Sequence, residues 1–163
     1  MRIRIFGKWY KVTVRKSERD NVVLQGKTII ITLRRKSASY LLKKFLANLL
    51  KQKLYALLNE LLDNGKVEIF GKMRFKIVDK IDGKKYRVAK LKGNKILFKL
   101  NAIALPITAL RYALAHELAH IATPKHSREF WRIVRKIYPS YRLGIRSLRR
   151  WKRLLVKDFN IQC

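Results

Sequence analysis

Acidic residues are the scarcest resource of this chain: Asp and Glu number 10 against 40 Lys and Arg in 163 residues, a formal charge of +30. Cysteine occurs once, as the last residue Cys163, so no disulfide can form within the chain and a reducing, cytoplasmic compartment is expected. Long apolar runs are missing. The longest uncharged stretch, Leu100 to Leu110, contains Asn101, Pro106 and Thr108 and falls short of the roughly 18–20 residues that span a bilayer. Met1-Arg2-Ile3-Arg4-Ile5-Phe6 is followed by no apolar block of signal-peptide length, so no membrane partner is expected. Repeats and low-complexity segments are also lacking. With only two methionines, little Gln and abundant Ile, Leu, Lys and Arg, the composition leans toward a thermophile, archaeal in style, although Glu is not enriched.

What is present is a core. Apolar residues make up 48% of the chain, which excludes a disordered polycation, and 163 residues suit one compact unit. The charge must then lie outside, where its self-repulsion calls for a polyanionic partner, nucleic acid before an anionic membrane surface.

The chain reads as α+β. Residues 1–36 alternate as strands (Arg2 to Ile5, Trp9 to Arg15, Thr28 to Leu33), with 11 basic residues against Glu18 and Asp20. An N-terminal β-rich lobe with an outward basic face and an inward Ile/Val/Trp face is expected there. Residues 37–163 form the remainder, packed with the lobe as one unit. Leu pairs recurring every four residues predict a helix over Ser39 to Asp63, capped by Ser37 or Ser39 and closed by Asn64-Gly65. Strands are expected over Val67 to Val78 and Lys84 to Leu100, with Asp82-Gly83 and Gly93-Asn94 as hairpin turns. Helices follow from Pro106, as first helical residue, to Thr123, over Ser127 to Tyr138, and over Ile145 to Leu155.

All three histidines fall in one stretch, His116-Glu117-Leu118-Ala119-His120 followed by His126. Residues four apart share a helix face, so His116 and His120 can offer nitrogens to one tetrahedral zinc, while Glu117 is offset by about 100° and can reach a water beside the metal without ligating it. Ile107, Leu110, Leu114, Leu118 and Ile121 form the opposite, core-facing stripe. Ala109, Tyr112, Ala113 and Ala119 leave room on the histidine side. A turn at Pro124 can return His126 as third ligand, with Glu129 as its rival, leaving one open position, the pattern of a catalytic zinc.

The segment His126-Ser127-Arg128-Glu129-Phe130-Trp131 after this motif resembles the YgjP-type zinc metallohydrolases, relatives of the SprT and Wss metalloproteases, whose signature similarly reads HELxH, a short gap, then HSxxFW. The resemblance implies a zincin-like metallopeptidase domain, zinc on His116, His120 and His126, and Glu117 as general base. It is specific in the last third and matches the rest in layout. One segment departs: relatives carry an Arg-Trp-Gly-Ser-Cys-like run before the zinc helix, whereas Arg87-Val88-Ala89-Lys90-Leu91 keeps only the arginine.

Beyond the motif, eight Arg and two Lys lie between Arg128 and Arg153 against Glu129 alone. Arg128, Arg132, Arg135 and Lys136 share one helix face, opposite Phe130, Val134 and Ile137. Arg142 follows. Arg146, Arg149, Arg150 and Arg153 recur at helical spacing, opposite Leu148, Trp151 and Leu155, in a basic C-terminal helix. With Arg34, Arg35 and Lys36 of the lobe these are the candidate contacts to phosphates, RNA before DNA, without sequence-reading side chains. Two readings result: a zinc metallopeptidase that binds nucleic acid and acts on proteins bound to it, or a non-catalytic, ribosome-associated RNA-binding protein on a zincin-like scaffold. A nucleotide-phosphate hydrolase is a third and weaker one.

Overall fold

A computed structural model of the chain describes residues 1–65 and 72–156, with side chains through Arg153. Four strands open it: β1 (Arg2–Ile5), β2 (Lys8–Lys16), β3 (Asn21–Gln25) and β4 (Thr28–Leu33). They form a sheet of order β1-β2-β4-β3 in which β2 and β4 run parallel. The alternation places Ile3, Ile5, Val12, Ile29 and Ile31 in the core. Trp9 is not on that inner face. It pairs with Arg4, shares the outer face, and lies under the guanidinium groups of Arg2 and Arg4 at 4.7 and 4.5 Å. An indole can serve as a cation platform as readily as core filling, and the alternation of β1 decides which.

Helix α1 (Ala38–Gly65) buries one leucine stripe, including Leu46, Leu50, Leu54 and Leu61. Ser37 is its cap, its Oγ accepting from the Tyr40 N–H at 3.2 Å. The expected strand from Val67 lies outside the described residues as far as residue 71. Strand β5 runs Arg74–Val78, β6 Ala89–Lys92 and β7 Lys95–Lys99, in order β5-β7-β6. Gly93-Asn94 is the two-residue hairpin turn between β6 and β7, with Gly93 at φ +62. Asp82-Gly83 is a turn but not a hairpin turn, because β5 pairs with β7 rather than with β6. Residues 84–88 are not strand either. They form a rim loop whose backbone is held from beneath by Lys99, buried, whose Nζ donates to the carbonyls of Lys84 and Lys85.

After a 3-10 turn (Leu100–Ala104) come α2 (Ile107–Ala122), α3 (Arg128–Ile137) and α4 (Tyr141–Val156). The tip of the β1–β2 hairpin is pinned to that turn, Phe6 and Gly7 donating their N–H groups to the carbonyls of Ile103 and Ala104 at 2.7 and 3.0 Å. The first sheet thereby supports the entry to α2. Arg111 of α2 meets Glu60 of α1 through paired bonds of 3.0 and 3.2 Å, fixing α2 from a second side. One hydrophobic cluster runs from Ile3 through α1 and α2 to Leu148. No helix among the described residues is long and apolar enough to cross a membrane.

Helix α4 starts at Tyr141, four residues before the expected Ile145. Gly144 sits inside it as a contact residue and does not break it. A Cβ there would lie 2.5 Å from Tyr112 Cβ and 3.0 Å from the Thr108 carbonyl oxygen, so α2 and α4 approach at a distance only glycine permits. Gly144→Ala should therefore destabilise the protein by about 2 kcal/mol despite alanine's better helix propensity, read as a lower urea midpoint. A midpoint equal to or above wild type would contradict this packing.

Candidate metal centre and cleft

Pro106 lies one position before the expected one. It caps α2 in extended backbone, and Ile107 is the first helical residue. Thr123, extended ahead of Pro124, ends the helix, as a pre-proline residue disfavours the α conformation. The core stripe holds at Leu110, Leu114 and Leu118, but Ile121 is 45% exposed because the last turn of α2 runs past the core. Ala109 and Ala119 are fully buried and take no part in the cleft, whereas Tyr112 and Ala113 line it.

The chain brings His116, His120 and His126 together, their ligating atoms within 4.8 Å of one another. His116 Nε2 stands 3.2 Å from His120 Nε2 and 3.3 Å from His126 Nε2. Nitrogens on a tetrahedral zinc, with bonds of roughly 2.0–2.1 Å, are separated by about 3.3 Å. A cation at the centre can face all three. The donor set, three imidazoles and no thiolate, fits zinc with an open fourth position. Glu129 lies exposed in the first turn of α3 and is not in the cluster.

The rings are oriented by second partners. His120 Nδ1–H donates to the Thr123 carbonyl at 3.2 Å, which leaves the Nε2 lone pair facing the His116 imidazole. Tyr112 Oη lies 3.4 Å from His116 Nδ1. Burial, then the neighbouring His120 and His126, then Lys152 and Arg87, hold the His116 pKa down at about 4, so its ring is neutral and able to ligate. Behind the cluster stands Phe130, fully buried, with its ring centroid 5.0, 4.8 and 4.9 Å from those of His116, His120 and His126. Ser127 caps α3 through the Phe130 N–H and so sets that ring's place.

Glu117 is buried on the cleft wall that it shares with the three histidines and accepts from the Leu91 N–H of β6 at 2.9 Å through Oε2. Burial raises its pKa to about 7, against the opposing pull of the Leu91 N–H and the Arg87 charge. A carboxyl poised near neutrality is suited to taking and returning a proton. The cleft in front, about 780 Å³, is lined by His116, Glu117, His120, His126, Tyr112, the rim loop and Lys152. Arg87, which keeps the family-like pattern, and Val88 and Ala89, which depart from it, form part of that wall.

Four contributors were not legible as site residues. Phe130 reads as ordinary core of an amphipathic helix, although it occupies the phenylalanine of the HSxxFW signature. Tyr112 reads as part of the histidine face and no more. Leu91 acts through its backbone, which leaves no sequence signal. Lys152 is one basic residue among many.

The basic candidates lie elsewhere. Arg128, Arg132, Arg135 and Lys136 are exposed along a groove beside α3 that includes His126 and Trp131. Arg142 borders the turn into α4. Arg146, Arg149, Arg150 and Arg153 are exposed on α4, opposite the buried Leu148 and the half-buried Trp151, whose ring stacks on Arg4 at 4.8 Å; the side chain of Leu155 is outside the described residues. Arg34, Arg35 and Lys36 are exposed, with all three backbone N–H groups donating to the Asp20 carboxylate.

The family model of the YgjP-like metallopeptidase domain matches residues 1–151, and the chain belongs to that family. Neither the curated proteins nor the solved structures offer a match.

Purified protein should carry one zinc per chain by metal analysis. His116→Ala or His120→Ala should remove most of it, because two ligands rarely hold zinc against water. Full zinc retention in both variants would place the metal elsewhere.

Proposed function

We propose that this member of the YgjP-like family is a zinc-dependent peptidase, cytoplasmic, with Glu117 as general base and with nucleic acid, RNA before DNA, bound on its basic outer faces. The observation that supports the hydrolytic reading is the placement of Glu117, buried and tethered by Leu91 next to three convergent imidazoles. Bound zinc would supply a Lewis acid for the scissile carbonyl and lower the pKa of an attacking water. His116, His120 and His126 would hold the metal, and all three line the cleft. Glu117 Oε2, oriented by the Leu91 N–H, fixes the carboxylate, which accepts the proton of the attacking water and can return it to the leaving amine. Phe130, fully buried, backs the three imidazoles.

Glu117→Gln should keep zinc and lose peptide hydrolysis by at least a hundredfold, since an amide can hydrogen-bond a water but cannot take its proton. Hydrolysis surviving at wild-type rate would remove Glu117 from the mechanism.

The second reading, an RNA-binding and ribosome-associated scaffold without turnover, is favoured by the altered segment 88–91, of which Val88 and Ala89 line the cleft, and by the exposed arginines of α4. Neutralising Arg146, Arg149, Arg150 and Arg153 to Gln should lower the salt dependence of RNA binding, by roughly 0.7–0.9 in the slope of log K per lost phosphate contact, or about 3 in all. Zinc content should not change. An unaltered slope would move the contacts off α4, and equal inertness of wild type and Glu117→Gln toward peptides would favour the scaffold.

A further inference from the structure

The cleft carries a charge pattern that the hydrolytic residues do not need. Lys84, Lys85 and Arg87 on the rim loop and Lys152 on α4 all line it, and Glu117, already tethered, is the one carboxylate on its wall among the described residues. The rim cations are built in. Lys99, buried beneath, donates to the carbonyls of both Lys84 and Lys85, while the Arg87 N–H donates to the Lys84 carbonyl at 3.4 Å and Arg87 Nε to that of Ala89 at 3.3 Å. Asp82, the carboxylate nearest the loop, is engaged by Lys90 at 2.8 Å and by Arg87 at 3.6 Å. Lys84 also feels the Asp82 charge, but among the described residues no carboxylate forms an ion pair with Lys84, Lys85 or Lys152, so the cleft wall carries a surplus of positive charge.

We propose that the cleft selects peptide segments rich in Asp and Glu around the bond presented to the metal, and rejects basic ones. This rests on the peptidase reading above and names its substrate class. The cations come from two separate elements and are mostly lysines. That suits carboxylates spaced along an extended chain better than one compact phosphate, which favours a convergent bidentate arginine site. The same charge gives the protein a means of sparing itself: its own exposed segments are dense in Lys and Arg, and a positive cleft repels them.

The test uses zinc-loaded Glu117→Gln protein, which binds without turnover, so affinity is read apart from activity. Three labelled peptides of one length, bearing Glu, Gln or Lys around a common central pair, are titrated by fluorescence anisotropy at physiological salt. The Glu peptide should bind at least tenfold more tightly than the Gln peptide, and the Lys peptide should not saturate. Adding Lys84→Gln and Lys152→Gln should reduce the preference roughly tenfold. A control with the same charge change, Lys43→Gln and Lys51→Gln on the exposed face of α1, should leave it intact. Should the Lys152 variant fold poorly by circular dichroism, Lys84→Gln with Lys85→Gln takes its place. No preference in the parent, or equal loss in both variant pairs, would overturn the proposal, the latter by assigning the effect to net charge. Displacement of the Glu peptide by tripolyphosphate at lower concentration would also overturn it and give the cleft to phosphates. If the acidic preference is found while wild type cleaves none of the peptides, the cleft assignment stands and the peptidase reading falls.

Discussion

Helix α2 must satisfy opposed demands, and the rest of the structure is arranged around them. One side carries Leu110, Leu114 and Leu118 into the core, while the other must hold two imidazoles and a carboxylate, half out of water, at fixed positions. Buried polar groups are tolerable only when each has a partner. The partners come from every direction: the Leu91 N–H from β6, the Thr123 carbonyl from the helix's own end, Tyr112 from one turn earlier, and Phe130 as a wall from α3. The arrangement works only if those elements keep their distances, which explains why α2 is fixed at its entry by the β1–β2 tip, at its flank by Arg111–Glu60, and along its length by the glycine contact with α4.

Scarcity of acid shapes the remainder. Several of the few carboxylates act as local clamps rather than as surface neutralisers. Asp20 gathers the backbone of residues 34–36, Glu60 holds α2, and Asp82 ties the rim loop to β6. The bonds to Asp20, led by that from Arg34, keep its pKa below the usual carboxylate range, as Lys90 does for Asp82. With these acids engaged locally, the exposed arginines of α3 and α4 have few counter-charges of their own. The positive field of this chain therefore follows from where its acids are used as much as from how many bases it has.

The histidine motif, the leucine stripe and the amphipathic basic helices were legible because each is a local periodicity tied to a chemical type. The motif's extension into a family signature carried further still, to a metallopeptidase domain. What escaped depended on long-range geometry. Trp9 reads as core by composition, and only the register opposite Arg4 places it outside. The helix expected from Ile145 leaves out Gly144, whose place inside α4 depends on its contact with α2. Residues 84–88 fall in the strand expected over Lys84 to Leu100, but they form a rim loop in which buried Lys99 holds the carbonyls of Lys84 and Lys85. Ile121 continues a perfect apolar period into a turn that has no core left to meet.

The cleft and the α3 groove meet at His126, which lines both. Their shared sign has a thermodynamic consequence for any molecule that uses the two. Screening at physiological salt limits electrostatic reach to about 8 Å, so an anion in one groove acts on an anion in the other only near that junction. Close to it, two negative ligands compete for one field. An anion drawn into the α3 groove would oppose an acidic segment in the cleft near His126, and an anion on α4 would do so near Lys152, which lines the cleft. The basic faces of α3 and α4 thus reach the cleft by different routes: the α3 groove shares His126 with it, whereas α4 contributes Lys152 and Leu148 to its wall.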